Sequence, residues 1–263
     1  MIKHYIGIDI GGTYTRAVLI HGLKPHKVRY LKRETGITAR HGEAVIIELI
    51  EELLKESKEK LLGIGVGIAG SVDRKRGIFL RGENLPFKGP WDIRKFLRHF
   101  NAPVKVDNDA HCFLRAEKEW GAVRGYKNIF GLVIGTGIGG SIIIDGKMVY
   151  GAHDGAGEAG FIVMDEKRER IFDELGAKKA FRQYGDRSRV IGMGIASIIN
   201  LVDPEILVLG GGGVFSPSFH FIKNVKKVTR RFVVIPGAKK TPIVKGKLGD
   251  AAQAIGAALL FAD

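Results

Sequence analysis

The sequence predicts an α/β protein made of two related halves, and three observations carry that prediction. Strand and helix patterns alternate along the chain, in the order strand, strand, strand, helix, strand, which points to mixed sheets with helices on them. Leu61 to Ala69, LLGIGVGIA, is almost wholly apolar and β-rich, as suits a strand covered on both faces. A strand, glycine turn, strand unit at the start of the chain returns about 125 residues later.

The elements follow in order. Tyr5 to Ile10 and Tyr14 to Ile20 flank a Gly-Gly-Thr turn and read as a hairpin. Val28 to Lys32 supplies a third strand. Over Gly42 to Lys60, Val45, Ile46, Leu49, Ile50, Leu53 and Leu54 recur at helical spacing above charged positions. The glycines of Leu61 to Ala69 let backbone or ligand come close. Gly82 to Trp91 is turn-rich, with Trp91 a core anchor, and a helix follows near Ile93 to Phe100. After a strand at Val104 to Val106, Asn108 or Asp109 caps a helix over Ala110 to Glu119. Asn128 to Ile144 restates the opening hairpin. Helices are expected at Ile171 to Tyr184, Val190 to Leu201 and Pro217 to Arg231, with a buried strand at Glu205 to Leu209 opening onto Gly210 to Gly213. Asp250 is expected to cap a closing apolar helix.

Composition narrows the function classes. At 263 residues with 45% hydrophobic content the chain can bury a large core. No run approaches the ~18 apolar residues of a membrane span, and no leader segment is recognisable at the N-terminus. The single cysteine, Cys112, excludes an intrachain disulfide and a multi-cysteine zinc site. A cytoplasmic location is the expectation. Net charge is +14, and Lys223, Lys226, Lys227, Arg230, Arg231, Lys239, Lys240, Lys245 and Lys247 follow one another with no acidic residue between them. Such a face could bind nucleic acid or be solvated surface that attracts anions. No nucleic-acid module accompanies it, which favours the second.

Chemistry concentrates at the two hairpins. Gly11 and Gly12 carry no Cβ, so an anion can approach the turn's N–H groups while Thr13 and Thr15 offer hydroxyls. Asp9 would place a carboxylate beside that anion, which makes sense if a divalent cation stands between them. An ordinary glycine turn fits this segment alone equally well.

Taken in order, DIGGTYTRA, GIAGSVD, ENLP, VDNDA, GTGIGGS, GEAGF and LGGGG resemble the ROK family of sugar kinases, within the sugar kinase, heat-shock and actin superfamily. The resemblance runs over nearly the whole length. It implies two ribonuclease H-like (actin-like ATPase) domains with a nucleotide and sugar cleft between them. The first would be residues 1–108 completed by the helix at 250–263, and the second, nucleotide-binding, residues 109–249. It implies ATP-dependent phosphorylation of a hexose or amino sugar, a non-catalytic sensor of the same fold being the alternative.

By position, Asp9, Gly11, Gly12, Thr13 and Thr15 resemble the first phosphate motif, Gly135, Thr136, Gly137 and Gly139 the second, and Gly211 and Gly212 the adenosine segment. Asp109 matches the family's catalytic aspartate. Asn84, Asn108, Asp109 and Glu158 match its sugar contacts, with Glu83 and Gly70 nearby. Mg²⁺ would be held through water, with Asp9 beside it. The implied partners are sugar and nucleotide, with no membrane and no nucleic acid, and a homodimer is among the assemblies allowed. The chain departs from its relatives where most read Glu-x-Gly-His before a cysteine-rich zinc loop: Phe161 stands at the histidine position and the cysteines are missing, so no zinc is expected. Phe161 is expected to replace the metal by apolar packing, and Glu174 is a candidate for the family's second glutamate.

Overall fold

The computed structural model describes residues 3–24, 28–55, 59–215 and 219–262. The chain divides into two compact units, Met1–Trp120 with Asp250–Asp263, and Gly121–Gly249.

In the first unit, β1 (His4–Ile10) and β2 (Tyr14–His21) form the opening hairpin and β3 (Val28–Glu34) extends it. Helix α1 (Ala39–Leu54) begins ahead of the expected Gly42 because Thr38 caps it, accepting from the His41 N–H at 3.2 Å. It also stops short of Lys60. The apolar spacing ends at Leu54, so further turns would bury nothing, and residues 56–58 lie outside the described ones. Next come β4 (Leu61–Ile68), then β5 (Ser71–Asp73), β6 (Ile78–Arg81) and β7 (Trp91–Asp92), which make a small sheet on either side of the turn-rich stretch and were not expected as strands. These strands are too short for their alternation to stand out among glycines and prolines. Trp91 is buried, stacked on Phe96, with Nε1 donating to Glu43 at 2.7 Å. Helix α2 (Ile93–Leu97), β8 (Val104–Asn108) and α3 (Asp109–Glu119) follow.

The first sheet runs β3-β2-β1-β4-β8, its first three strands antiparallel and β4 and β8 parallel to β1. Ile6, Ile8 and Ile10 face the core that α1 fills with Ile46, Leu49 and Ile50. Between the core-facing positions stand Gly7 on β1 and Gly63, Gly65 and Gly67 on β4; the closing helix α9 (Ala252–Ala258) lies against Gly7 and Gly65, the Phe261 ring against Gly63 and Cys112 against Gly67. A Cβ on Gly65 would stand 1.8 Å from the Ala257 carbonyl oxygen, so the helix backbone lies directly on the strand. At Gly7 and Gly65 it is backbone, not ligand, that the missing Cβ admits. Helix α9 crosses α3 as closely: a Cβ on Gly256 would sit 1.7 Å from the Cys112 carbonyl oxygen. Gly256→Ala must therefore separate two helices, and we expect it to destabilise the chain by about 3 kcal/mol in chemical denaturation. A change below 0.5 kcal/mol would contradict this packing.

Asp250 does not cap α9, whose N-cap position is Ala251. Its carboxylate is drawn off by three partners, Arg16 Nε, Tyr30 Oη and Lys32 Nζ, each at 2.8 Å.

The second unit repeats the plan. Its strands β9 (Ile129–Ile134), β10 (Ile138–Ile144) and β11 (Lys147–Val149) are antiparallel, and β14 (Ile206–Gly210) and β15 (Ile243–Lys245) extend the sheet in parallel, giving β11-β10-β9-β14-β15. The order matches the first sheet strand for strand. Between them lie the pair β12 (Val163–Asp165) and β13 (Arg170–Ile171), then α4 (Phe172–Gly176), α5 (Lys178–Tyr184) and α6 (Ser188–Val202), and after β14 the helices α7 (Gly212–Phe215) and α8 (Phe219–Phe232). The expected start of α8 at Pro217 falls outside the described residues. The single helix expected over Ile171 to Tyr184 is broken at Ala177, where ψ is 169°. The break lets the Lys178 N–H donate to the Gly135 carbonyl at 2.9 Å, so a new helix start braces the second glycine turn. Among the described residues no helix is long and apolar enough to cross a membrane.

Candidate active site

In the first unit the β1–β2 turn is closed by Gly11 N–H donating to the Tyr14 carbonyl at 3.1 Å. Gly12 lies against the ENLP loop: its missing Cβ would stand 2.0 Å from the Asn84 carbonyl oxygen. Phosphate-turn and sugar-loop candidates are thus neighbours. Thr13 and Asn84 are exposed. Thr15 does not share that open face. It is fully buried and its hydroxyl pairs with Thr35 Oγ1 at 3.1 Å, while Thr35 donates to the Gly11 carbonyl at 2.7 Å. Strand alternation turns Thr15 inward, where it braces the turn.

Asp9, at the end of β1, is 2% exposed. Burial pushes its carboxyl up to about 7, against the pull of Arg16, whose Nη1 lies 3.1 Å from Oδ2; the charges of Asp109 and Asp250 add to the upward push. Arg16 in turn reaches Asp250. Tyr30, desolvated and bonded to Asp250, is pushed up to about 12. A divalent cation beside Asp9 would favour its ionised form, and one carboxylate with waters and phosphate oxygens is a donor set suited to Mg²⁺. The residues present fit that ion.

The start of α3 divides two tasks between neighbours. Asn108 is the N-cap, its Oδ1 accepting from Ala110 N–H at 2.8 Å and His111 N–H at 3.4 Å, and its Nδ2 donates to the Gly70 carbonyl at 3.0 Å. Asp109 is therefore not needed as the cap. It is half-buried, accepts locally from Ala110 N–H at 2.9 Å, and is close enough to Asp9 for their charges to interact.

The residue behind them has a role that the sequence did not reveal. Asp107 is fully buried and meets His111 Nδ1 at 2.9 Å, Arg115 Nη1 at 3.2 Å, Arg74 Nε at 3.3 Å and the Asn108 N–H at 2.8 Å. Burial raises its carboxyl, but His111, Arg115 and Arg74 overcome this and hold it below the ordinary value. The network fixes the strand-to-helix junction that carries Asn108 and Asp109. Its signal in the sequence is His111 and Arg115 at four and eight residues beyond Asp107, one face of the coming helix.

In the second unit, Gly135 N–H donates to the Gly137 carbonyl at 2.8 Å, closing the β9–β10 turn, with Thr136 exposed at its tip. Asp173 accepts from the Ile138 N–H, and burial raises its carboxyl against that bond. Gly139 follows on β10. Gly211, at φ 86°, presses on the Ile134 carbonyl, where a Cβ would stand 2.4 Å away, whereas Gly212 faces open space. The glycine end of β14 is thereby set beside the turn that ends β9. Glu158 is exposed and precedes the helical turn Ala159–Phe161; Gly160 lies against the Ile138 carbonyl. Phe161 does not pack: it is 61% exposed, because the short turn that buries Ala159 and Gly160 rotates it outward. Glu174 serves local structure, accepting from Ile171 N–H at 3.3 Å and lying 3.6 Å from Arg170.

The ROK family model matches residues 5–177 and 170–263. The chain is 26% identical over 306 residues to the N-acetyl-D-glucosamine kinase of Photobacterium profundum, covering 97% of this chain and 98% of that one. It is 25% identical over 308 residues to the xylose repressor of Caldicellulosiruptor bescii, covering 95% of this chain and 76% of the repressor. In structure it is similar to a ROK family glucokinase from Streptomyces griseus, solved with glucose and AMPPNP, at a TM-score of 0.87, 23% identity and 98% coverage of each chain.

Proposed function

The chain belongs to the ROK family, and on that premise we propose that it is an ATP-dependent kinase acting on a hexose or an amino sugar, with Asp109 as catalytic base. The observation that carries this reading is the division of labour at α3: Asn108 caps the helix and leaves the Asp109 carboxylate half-exposed beside Asp9. The kinases among its relatives, such as that of Photobacterium profundum, support it.

Phosphoryl transfer asks the protein for positioning and charge rather than for a covalent intermediate. Asp109 accepts the proton of the acceptor hydroxyl as that oxygen attacks. Asn84, Asn108 and Glu158 hold other sugar hydroxyls; Asn108 retains one amide N–H beyond its bond to Gly70 for this purpose. The turns Gly11–Thr13 and Gly135–Gly137 with Gly139 offer N–H groups to the nucleotide phosphates, and the side-chain-free surface of Gly211 and Gly212 takes the adenosine. Mg²⁺, when bound near Asp9, neutralises phosphate charge. Thr15 contributes by bracing the first turn. With Phe161 where a histidine stands in most relatives, the sugar's C1 and C2 end meets an apolar side chain, so the preferred sugar is this chain's own.

A panel of hexoses, amino sugars and N-acetylated sugars assayed with Mg²⁺ and ATP tests the proposal through coupled ADP release. Sugar-dependent release with at least one member is expected. The similarity to a xylose repressor favours a second reading, a non-catalytic sugar or nucleotide sensor. Binding of sugar and nucleotide without turnover across the panel would establish that reading instead.

A further inference from the structure

A pocket of about 130 Å³ lies on the second unit, lined by Lys226 and Arg230 of α8 and by Lys239, Lys240 and Thr241 in the segment leading to β15. We propose that it is an oxyanion site, taking inorganic phosphate or the phosphoryl group of a small phosphate ester. This goes beyond the kinase reading and does not depend on it.

Charge is the first support. Lys226 and Arg230 stand at i and i+4 on one helix face, a like-charge spacing that costs a few tenths of a kcal/mol when nothing lies between. Lys239 and Lys240 add two cations from a separate segment. Among the described residues none of the four forms an ion pair, and no acidic residue lines the pocket. An anion in the pocket would relieve repulsion among all four.

The pocket is also built rather than merely basic. Ile199, Ala238 and Ile243 are buried and form an apolar floor, which lowers the local dielectric and strengthens any charge pairing above it. Thr229 is 2% exposed, and its hydroxyl lies 2.9 Å from the Val225 carbonyl and 3.1 Å from the Gly192 carbonyl, fixing α8 against α6. The Thr241 hydroxyl makes only a 3.4 Å contact with the Pro204 carbonyl and can turn to a ligand. A volume of about 130 Å³ is many times the ~10–15 Å³ that one water needs, enough for a phosphoryl group with its waters but not for an extended strand.

Position separates this pocket from the nucleotide end of the sheet. Ile243 pairs with Leu207, while the glycine motif begins at Gly210, three residues or roughly 10 Å further along β14.

Calorimetric titration of the full chain with inorganic phosphate tests the site, using three double variants that each remove two charges. We expect one saturable site in the wild type, about tenfold weaker binding in Lys226→Ala/Arg230→Ala, and unchanged binding in Lys223→Ala/Lys245→Ala, whose side chains do not line the pocket. Lys239→Gln/Lys240→Gln should weaken it similarly, which covers the case in which the helix variant does not fold. Absence of binding overturns the proposal, as does equal weakening in pocket and control pairs, or full binding in the pocket variants. A hexose 6-phosphate titrated in parallel separates the sources: tighter binding than phosphate assigns the site to an ester, equal binding to the free ion. If duplex DNA binds with a steep salt dependence while phosphate does not, the face is a nucleic-acid surface and the proposal falls.

Discussion

Asp109→Asn is expected to lower sugar-dependent ADP release by about 10³-fold while nucleotide binding persists. The substitution keeps the side chain's shape and one carbonyl oxygen, so the local bond from Ala110 N–H survives, and the cap belongs to Asn108. What it removes is an oxygen that can accept a proton from the attacking hydroxyl. The loss should therefore fall on kcat, with the sugar KM changed much less, since a neutral amide can still hydrogen-bond a hydroxyl. Single-turnover kinetics with saturating sugar separates the two effects. Wild-type turnover in Asp109→Asn would remove the base from this position, and an equal loss of nucleotide binding would turn the residue into a structural support.

Much of the fold was legible because it is periodic. The spacing of Ile46, Leu49, Ile50 and Leu53 marked α1, and the return of a glycine hairpin at Gly135 marked the duplicated sheet order. What escaped reading depends on contacts distant in sequence. Asp250 looks like a helix cap until Arg16, Tyr30 and Lys32 are brought to it from more than 200 residues away. Gly65 of β4 admits either ligand or backbone, and only the arrival of α9 decides for backbone. Phe161 reads as a core residue by type, yet its short turn aims it at solvent. The break at Ala177 could not be read at all, since it follows from the Gly135 carbonyl's need for a donor. Within the site, the cap role of Asn108 was one of two open alternatives, while the Asp107 network lay unread in plain helical spacing.

Asp9→Asn is expected to make the ligand-free chain more stable at pH 8 while weakening its response to Mg²⁺ and nucleotide. A buried carboxyl whose value is raised to about 7 binds its proton more tightly when folded than the ~3.9 of an unfolded aspartate allows. Stability then falls as pH climbs from about 4 to about 7 and levels off above, where the full cost of the buried charge is carried, on the order of a few kcal/mol. Asparagine carries no such charge, and Arg16 is not orphaned by the change because Asp250 still holds it at 2.8 Å. Urea denaturation of the two proteins should therefore diverge with rising pH, the variant being the more stable, and converge toward pH 4. Mg²⁺ with nucleotide should raise the wild-type midpoint strongly and the variant's far less, since only the carboxylate rewards a nearby cation. A variant less stable than wild type at pH 8 would mean that the Asp9–Arg16 pair outweighs the burial of Asp9. A ligand-induced shift of equal size in both would remove Asp9 from the cation's surroundings, leaving the glycine turn to hold its anion without it.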